Sequence, residues 1–215
     1  MKVPAILGTA ILTLLAGCQH QDNVSTTFTA LTGNLFQSQE EKQTNRVSSF
    51  IREGDIQRAE IEASQLAIPF LRAQSLFKIA HYQIAEQNDL VGAKKLVEKI
   101  DQALLEIQSK EDKLFSQIEL ADLLYFIDRE KSQNLLKSLL PEIWAVVDPI
   151  ERSKLLIRLT TLELQTQQDV KKAKVTIEQT NQTIQFIQKN SIRSSREKEL
   201  KNVLQVNNHI LCRDP

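Results

Sequence analysis

Four aspartates set the frame of this sequence. Asp55, Asp89, Asp128 and Asp169 are each followed four residues later by a small side chain: Ala59, Ala93, Ser132 and Ala173. The steps between them are 34, 39 and 41 residues. Five positions before each Asp stands an apolar residue, Phe50, Ile84, Leu123 or Leu164. In the last three units Ile79, Ile118 and Leu159 lie ten positions before it, and Leu76, Phe115 and Leu156 thirteen before. The first unit has Asn45 and Lys42 there instead, so a short or partial first helix is expected. Residues 72–100 show the unit most plainly. Leu76, Ile79, Ala80 and Ile84 share one helical face, Asn88-Asp89 makes the turn, and Leu90, Ala93, Val97 and Ile100 share a second face. Asp at such a turn caps the second helix by accepting a backbone N–H. A small residue one turn later lets the two backbones approach to about 8–10 Å.

Further helix starts are written in the same chemistry. Ser38 with Glu41, Ser109 with Asp112, Asp148 with Glu151 and Ser194 with Glu197 have capping-box spacing or close to it. Pro149 sits at a first helical position, Pro69 opens another helix, and Pro141 should kink or break its helix. The spacing predicts helices over residues 38–53, 55–67, 70–87, 89–108, 110–127, 129–147, 149–167, 169–189 and 194–211, with the last covering the end of the stack. No stretch alternates with the period of a strand. The expected fold is therefore all-α, an αα-hairpin array of about nine helices with no sheet. The length, 215 residues, suits one domain with a sizeable core.

The array resembles the tetratricopeptide repeat family. Gly54-Asp55 with Ala59 and Asn88-Asp89 with Ala93 match that family's turn and its following small residue, and the first step equals its period. His81 stands where the family has Gly, and the later units are longer. The resemblance implies a right-handed superhelix over residues 40–190, with first helices lining a concave surface that holds a protein or peptide. Carried onto this chain, the candidate partner-binding residues are Lys78, Tyr82, Gln117, Tyr125, Arg158 and Gln165.

The N-terminus carries a second signal. Lys2 precedes an apolar run over residues 3–15, short of the roughly 20 residues that span a bilayer. Leu15-Ala16-Gly17-Cys18 then resembles the lipobox of bacterial lipoproteins. That resemblance implies a signal peptide over residues 1–17 and a diacylglyceryl thioether on Cys18, with acyl chains that anchor the protein to a membrane. Gln19, rather than Asp, follows the Cys. In a Gram-negative cell this implies the outer membrane, with the protein facing the periplasm; otherwise the cell membrane carries the anchor. Residues 18–37, rich in Thr, Ser, Gln and Asn, are expected to form a flexible tether, and residues 38–211 the helical-repeat domain.

Catalytic and cofactor signals are sparse. Lys+Arg and Asp+Glu balance at 27 each, which leaves no nucleic-acid footprint. Gly numbers only 5, too few to suggest phosphate cradles. No nucleophile elbow, phosphate loop or zinc-protease motif occurs. The histidines are His20, His81 and His209; His209 and Cys212 lie one turn apart without a further ligand nearby in sequence, so no metal and no cofactor are expected. With Cys18 lipidated, Cys212 would lack an internal disulfide partner. Glu40-Glu41, Glu60/Glu62, Glu111-Asp112 and the mixed-charge segment 193–201 are expected to face solvent. The expectation is a membrane-anchored periplasmic protein-binding scaffold or adaptor and not an enzyme, assisting assembly of an envelope complex such as pilus, secretion-channel or cell-wall machinery; the competing class is an envelope enzyme or regulator of cell-wall hydrolysis.

Overall fold

A computed structural model of the chain describes residues 39–167 and 169–211. The leader, the tether and Cys18 lie outside the described residues, as do Ser38 and Cys212. Among the described residues the fold is all-helical, without strands. The helices are α1 (Gln39–Glu53), α2 (Ile56–Ser64), α3 (Pro69–Ala85), α4 (Leu90–Glu106), α5 (Lys110–Ile127), α6 (Arg129–Trp144) and α7 (Pro149–Thr161), which runs into a π-helical turn (Leu162–Thr166). Then come α8 (Val170–Gln185), α9 (Asn190–Val206) and a closing turn α10 (Asn208–Leu211). No helix among the described residues is long and apolar enough to cross a membrane.

Each Asp turn folds as its chemistry requires. Asp55, Asp89, Asp128 and Asp169 accept the backbone N–H of Arg58, Gly92, Lys131 and Lys172, at 3.1, 2.8, 3.1 and 3.1 Å. The small residues Ala59, Ala93, Ser132 and Ala173 are all fully buried. Ser132 also donates its hydroxyl to the Ala121 carbonyl at 2.6 Å, tying α6 to α5. Gly54 takes φ +77°, a left-handed conformation that glycine adopts without penalty, and closes α1 onto α2.

The chain clusters into two compact units, the first ending at Ala103 and the second beginning at Leu104. In the first, α1, α2 and α3 pack on one another around Val47, Ile51, Ala59, Ala63, Leu76 and Ile79. The first helix α1 is a full 15 residues, not a stub. Its early polar positions are used: Gln43, buried, donates its amide to the Glu62 carbonyl of α2 at 2.9 Å. In the second unit, α5 pairs with α6, α7 with α8, and α9 packs on both α7 and α8. Ile157, Ile184 and Leu200 form one cluster there; Leu164, Ala173 and Ile210 form another.

The structure also exposes a longer period. A shift of 80 residues maps Leu66 on Val146, Pro69 on Pro149, Ala73 on Ser153, Leu76 on Leu156, Ile79 on Leu159, Asp89 on Asp169, Leu104 on Ile184 and Ile107 on Ile187. Apart from the prolines and the capping aspartates, every one of these positions is buried. Arg72 maps on Arg152, whose guanidinium donates to the Val146 carbonyl at 3.4 Å, capping the C-terminal end of the preceding segment. Arg193 repeats the contact on Ile187 at 2.8 Å.

Two local expectations change. The last long helix begins at Asn190, four residues before Ser194, and Lys189 at its N-cap makes no side-chain cap bond. Arg193 is held by the Ile187 carbonyl, so the first turn is fixed before the capping-box spacing begins. Of the kink or break expected at Pro141, the break does not occur, because α6 continues to Trp144. Proline removes the hydrogen bond to the carbonyl of Lys137, an exposed residue that water can serve.

Candidate functional site

The polar feature with the most partners lies in the second unit. Glu119 and Asp122 are three residues apart on α5 and so share a face. Arg158 of α7 reaches both. Its Nε and Nη2 engage the two Glu119 carboxylate oxygens, the latter at 2.9 Å, and Nη2 also donates to Asp122 Oδ2 at 3.1 Å. On the other side of Asp122, Thr166 Oγ1 donates to Oδ1 at 2.6 Å. Three elements, α5, α7 and the π turn, are thereby joined. The side chains are 15 % (Arg158), 12 % (Glu119) and 1 % (Asp122) exposed, so water competes little for these bonds. A bidentate guanidinium–carboxylate pair in such surroundings is directional and strong.

The π turn carries a second buried acid. Glu163 is 5 % exposed, and its Oε2 has no hydrogen-bond partner. Burial pushes its carboxyl up to about 7, and Asp169 adds to the rise; a hydrogen bond with Thr176 and the Lys172 ammonium oppose it. Asp169 behaves differently. Burial would raise it, but hydrogen bonds from the Lys172 side chain and backbone, with the Lys172 charge, hold it below the ordinary carboxylate range. Lys172 Nζ lies 3.0 Å from Asp169 Oδ2.

The candidate partner-binding residues are distributed over both units. Lys78 and Tyr82, half-buried, lie one turn apart on α3 in the first unit. Tyr82 Oη would be 3.6 Å from a Cβ placed on Gly54, so its ring end lies beside the α1–α2 turn. In the second unit Gln117 is half-buried on α5 and Gln165 half-buried in the π turn. Tyr125, near the end of α5, stacks edge-on to Phe126 at 5.7 Å, and the Arg129 guanidinium lies 4.9 Å from its ring centre. Arg158 belongs to the buried network, and any partner it contacted would compete with Glu119 and Asp122.

Glu119, Asp122, Thr166 and Glu163 were not singled out by the sequence. A signal was present. Asp122 interrupts the run Leu120-Ala121-Asp122-Leu123-Leu124, and Glu163 sits between Leu162 and Leu164. A charge inside an apolar stripe demands a partner. The carboxylate pairs expected at the surface are partly engaged: Glu60 meets Lys99 at 2.5 Å and Glu62 meets Arg46 at 3.0 Å, on partly exposed side chains. No protein-family model matches the chain, and neither curated proteins nor solved structures show a significant match to it.

Proposed function

We propose that this protein is a membrane-anchored scaffold that holds a protein or peptide partner at a bacterial envelope membrane and catalyses no reaction. The observation that carries the reading is the fourfold recurrence of a capped turn followed by a fully buried small residue. Such recurrence supports a tetratricopeptide-like right-handed superhelix, whose first helices face the partner along one concave side. Repeat stacks of this kind offer an extended surface, where aromatic and long polar side chains supply the contacts. Lys78, Tyr82, Gln117, Tyr125 and Gln165 are the contact residues in this reading, with Arg158 fixing α5 against α7.

The anchor rests on Leu15-Ala16-Gly17-Cys18. A lipidated Cys18 followed by Gln19 supports the outer membrane of a Gram-negative cell, facing the periplasm. Tethering there raises the effective concentration of the domain toward a membrane-bound partner. The test is affinity capture from native membranes with the full chain against a Lys78→Ala, Gln117→Ala, Tyr125→Ala variant. Unchanged helix content with loss of the co-purifying protein is the expected result. Capture of the same protein at the same yield would sink the assignment of the first helices, and cell-wall cleavage by the purified protein would sink the non-enzymatic reading.

A further inference from the structure

The 80-residue period matches the hairpin α3–α4 with α7–α8 in sequence, and the two differ at one set of positions. Gln83 becomes Glu163, Ala80 becomes Thr160, Leu96 becomes Thr176, Ile100 becomes Thr180 and Ala103 becomes Thr183. Every one of these residues is buried. At these positions the first hairpin carries four aliphatic side chains and one amide. The second closes on a seam of hydroxyls with a carboxyl at its end. Thr176 and Thr180 fall on α8 between Ala173, which packs with Leu164, and Ile184, which packs with Ile157. The seam thus lies in the α7–α8 interface itself.

Both hairpins close with the same backbone bond. Asp89 donates its N–H to the Gln83 carbonyl at 2.8 Å, and Asp169 to the Glu163 carbonyl at 2.9 Å. Only the second has a π-helical turn at this point. Two buried polar atoms there lack hydrogen-bond partners, Glu163 Oε2 and Gln167 Nε2, one turn apart; in the first hairpin Gln83 Oε1 lacks one too, but an amide at that position carries no ionisable proton. A π turn with unsatisfied buried groups is a local weak point in a helix pair.

We propose that Glu163 is a protonation-controlled latch on the α7–α8 hairpin, closed while its carboxyl is neutral and released when it ionises. The hydrogen count gives the mechanism. Thr176 has one hydroxyl proton, and its Oγ1 lies 3.2 Å from the Lys172 carbonyl. With Glu163 neutral, the buried carboxyl carries no charge and the Thr176 hydroxyl keeps its bond to the Lys172 carbonyl. Once the carboxyl loses its proton to solvent, the single Thr176 hydroxyl can donate to only one of its oxygens, and Oε2 has no other hydrogen-bond partner. The resulting charge is buried with too few donors, and hydration relieves it. A hydroxyl seam admits that water at less cost than Leu and Ile would, so opening along α8 follows.

From the α8 side, Lys172 attracts the ionised form and Asp169 repels it, and these two are paired with each other. From α5, Asp122 holds the far end of the π turn through Thr166, and Arg158 of α7 is committed to Asp122 and Glu119. From α9 and α10 the turn meets Val203, Leu204 and Ile210 around Leu164. The ordinary carboxyl value of 4.5 rises to about 7 at Glu163, which sets release near neutral pH.

Hydrogen exchange on the full chain tests the latch, with rates corrected for the intrinsic pH dependence of exchange. Between pH 6 and 8 the protection of α8 amides near Thr176 should fall roughly tenfold, the ratio set by a group that titrates near 7 closed and near 4.5 open. The matching amides of α4 should not change. Glu163→Gln copies the neutral form and the residue found at Gln83, and should abolish the fall. Carbon NMR of the Glu163 carboxyl gives a second readout, with a midpoint near pH 7 expected in the wild type. Equal pH response in wild type and Glu163→Gln, or a carboxyl midpoint in the ordinary range of 4 to 5, overturns the proposal.

Discussion

Removing the Arg158 guanidinium should be among the costliest single changes in the second unit. Arg158→Met keeps most of the aliphatic volume and deletes two bonds to Glu119 and one to Asp122. Asp122 is 1 % exposed and keeps the Thr166 hydroxyl; Glu119 is 12 % exposed. Breaking a buried ion pair from one side costs about 3–5 kcal/mol, because an uncompensated charge stays behind. Urea unfolding of the chain, followed by circular dichroism, measures the loss. Glu119→Gln alone should cost less, and the double variant should be more stable than the two single losses added together. That cycle isolates a coupling of about 1.5 kcal/mol or more, as a bidentate, largely desolvated pair requires. A loss below about 1 kcal/mol for Arg158→Met, with no coupling to Glu119, would mean that the guanidinium is solvated and does not join α5 to α7.

Two further outcomes rest on the structure and a third on the N-terminal sequence. Ala93 is fully buried, so Ala93→Arg should lower stability by about 3 kcal/mol or more through overpacking and a buried charge, whereas Lys94→Ala, on an exposed neighbour, should stay within about 0.5 kcal/mol; equal melting temperatures for wild type and Ala93→Arg would refute the close approach at this turn. Because Glu163 is raised from 4.5 to about 7, the folded state binds the extra proton between those values, so its contribution is fully present below pH 4.5 and is lost as pH rises through 7, by about 3 kcal/mol in all; Asp169, held low, acts in the opposite sense and loses its contribution only as pH falls below the ordinary carboxylate range, and a Glu163→Gln chain should lack the neutral-pH decline in urea midpoint. Metabolic labelling with palmitate should mark the wild type and not Cys18→Ser; equal labelling would refute lipid attachment at the lipobox.

Much of the helical map was legible because its signals are local. An Asp that caps and a small residue one turn later depend on neighbours within five positions, and all four pairs behave as their spacing implies. One boundary shifted where a side chain reached back past the capping-box spacing. Arg193 reaching back to Ile187 starts α9 before the Ser194–Glu197 pair. The polar network was hidden because its partners are far apart in sequence. Glu119 and Arg158 are 39 residues apart, and nothing at either position alone indicates the other. The leucines around Asp122 and Glu163 announce that a charge is buried, but its partner is fixed by the packing of α5, α7 and the π turn. The 80-residue period was in view as well, masked by the unequal steps of 39 and 41 that compose it.

The scaffold reading is tested most directly by where a partner touches the protein in living cells. A photo-reactive amino acid placed in turn at Lys78, Gln117 and Gln165 samples the first helix of three pairs, and at Lys94, Glu142 and Glu178 the exposed second helices. Mass spectrometry then identifies what each position captures. A recognition surface built from first helices predicts one shared protein captured at Lys78, Gln117 and Gln165, and absent from the other three positions. Capture of that protein equally from both sets, or only from the second helices, would contradict the account.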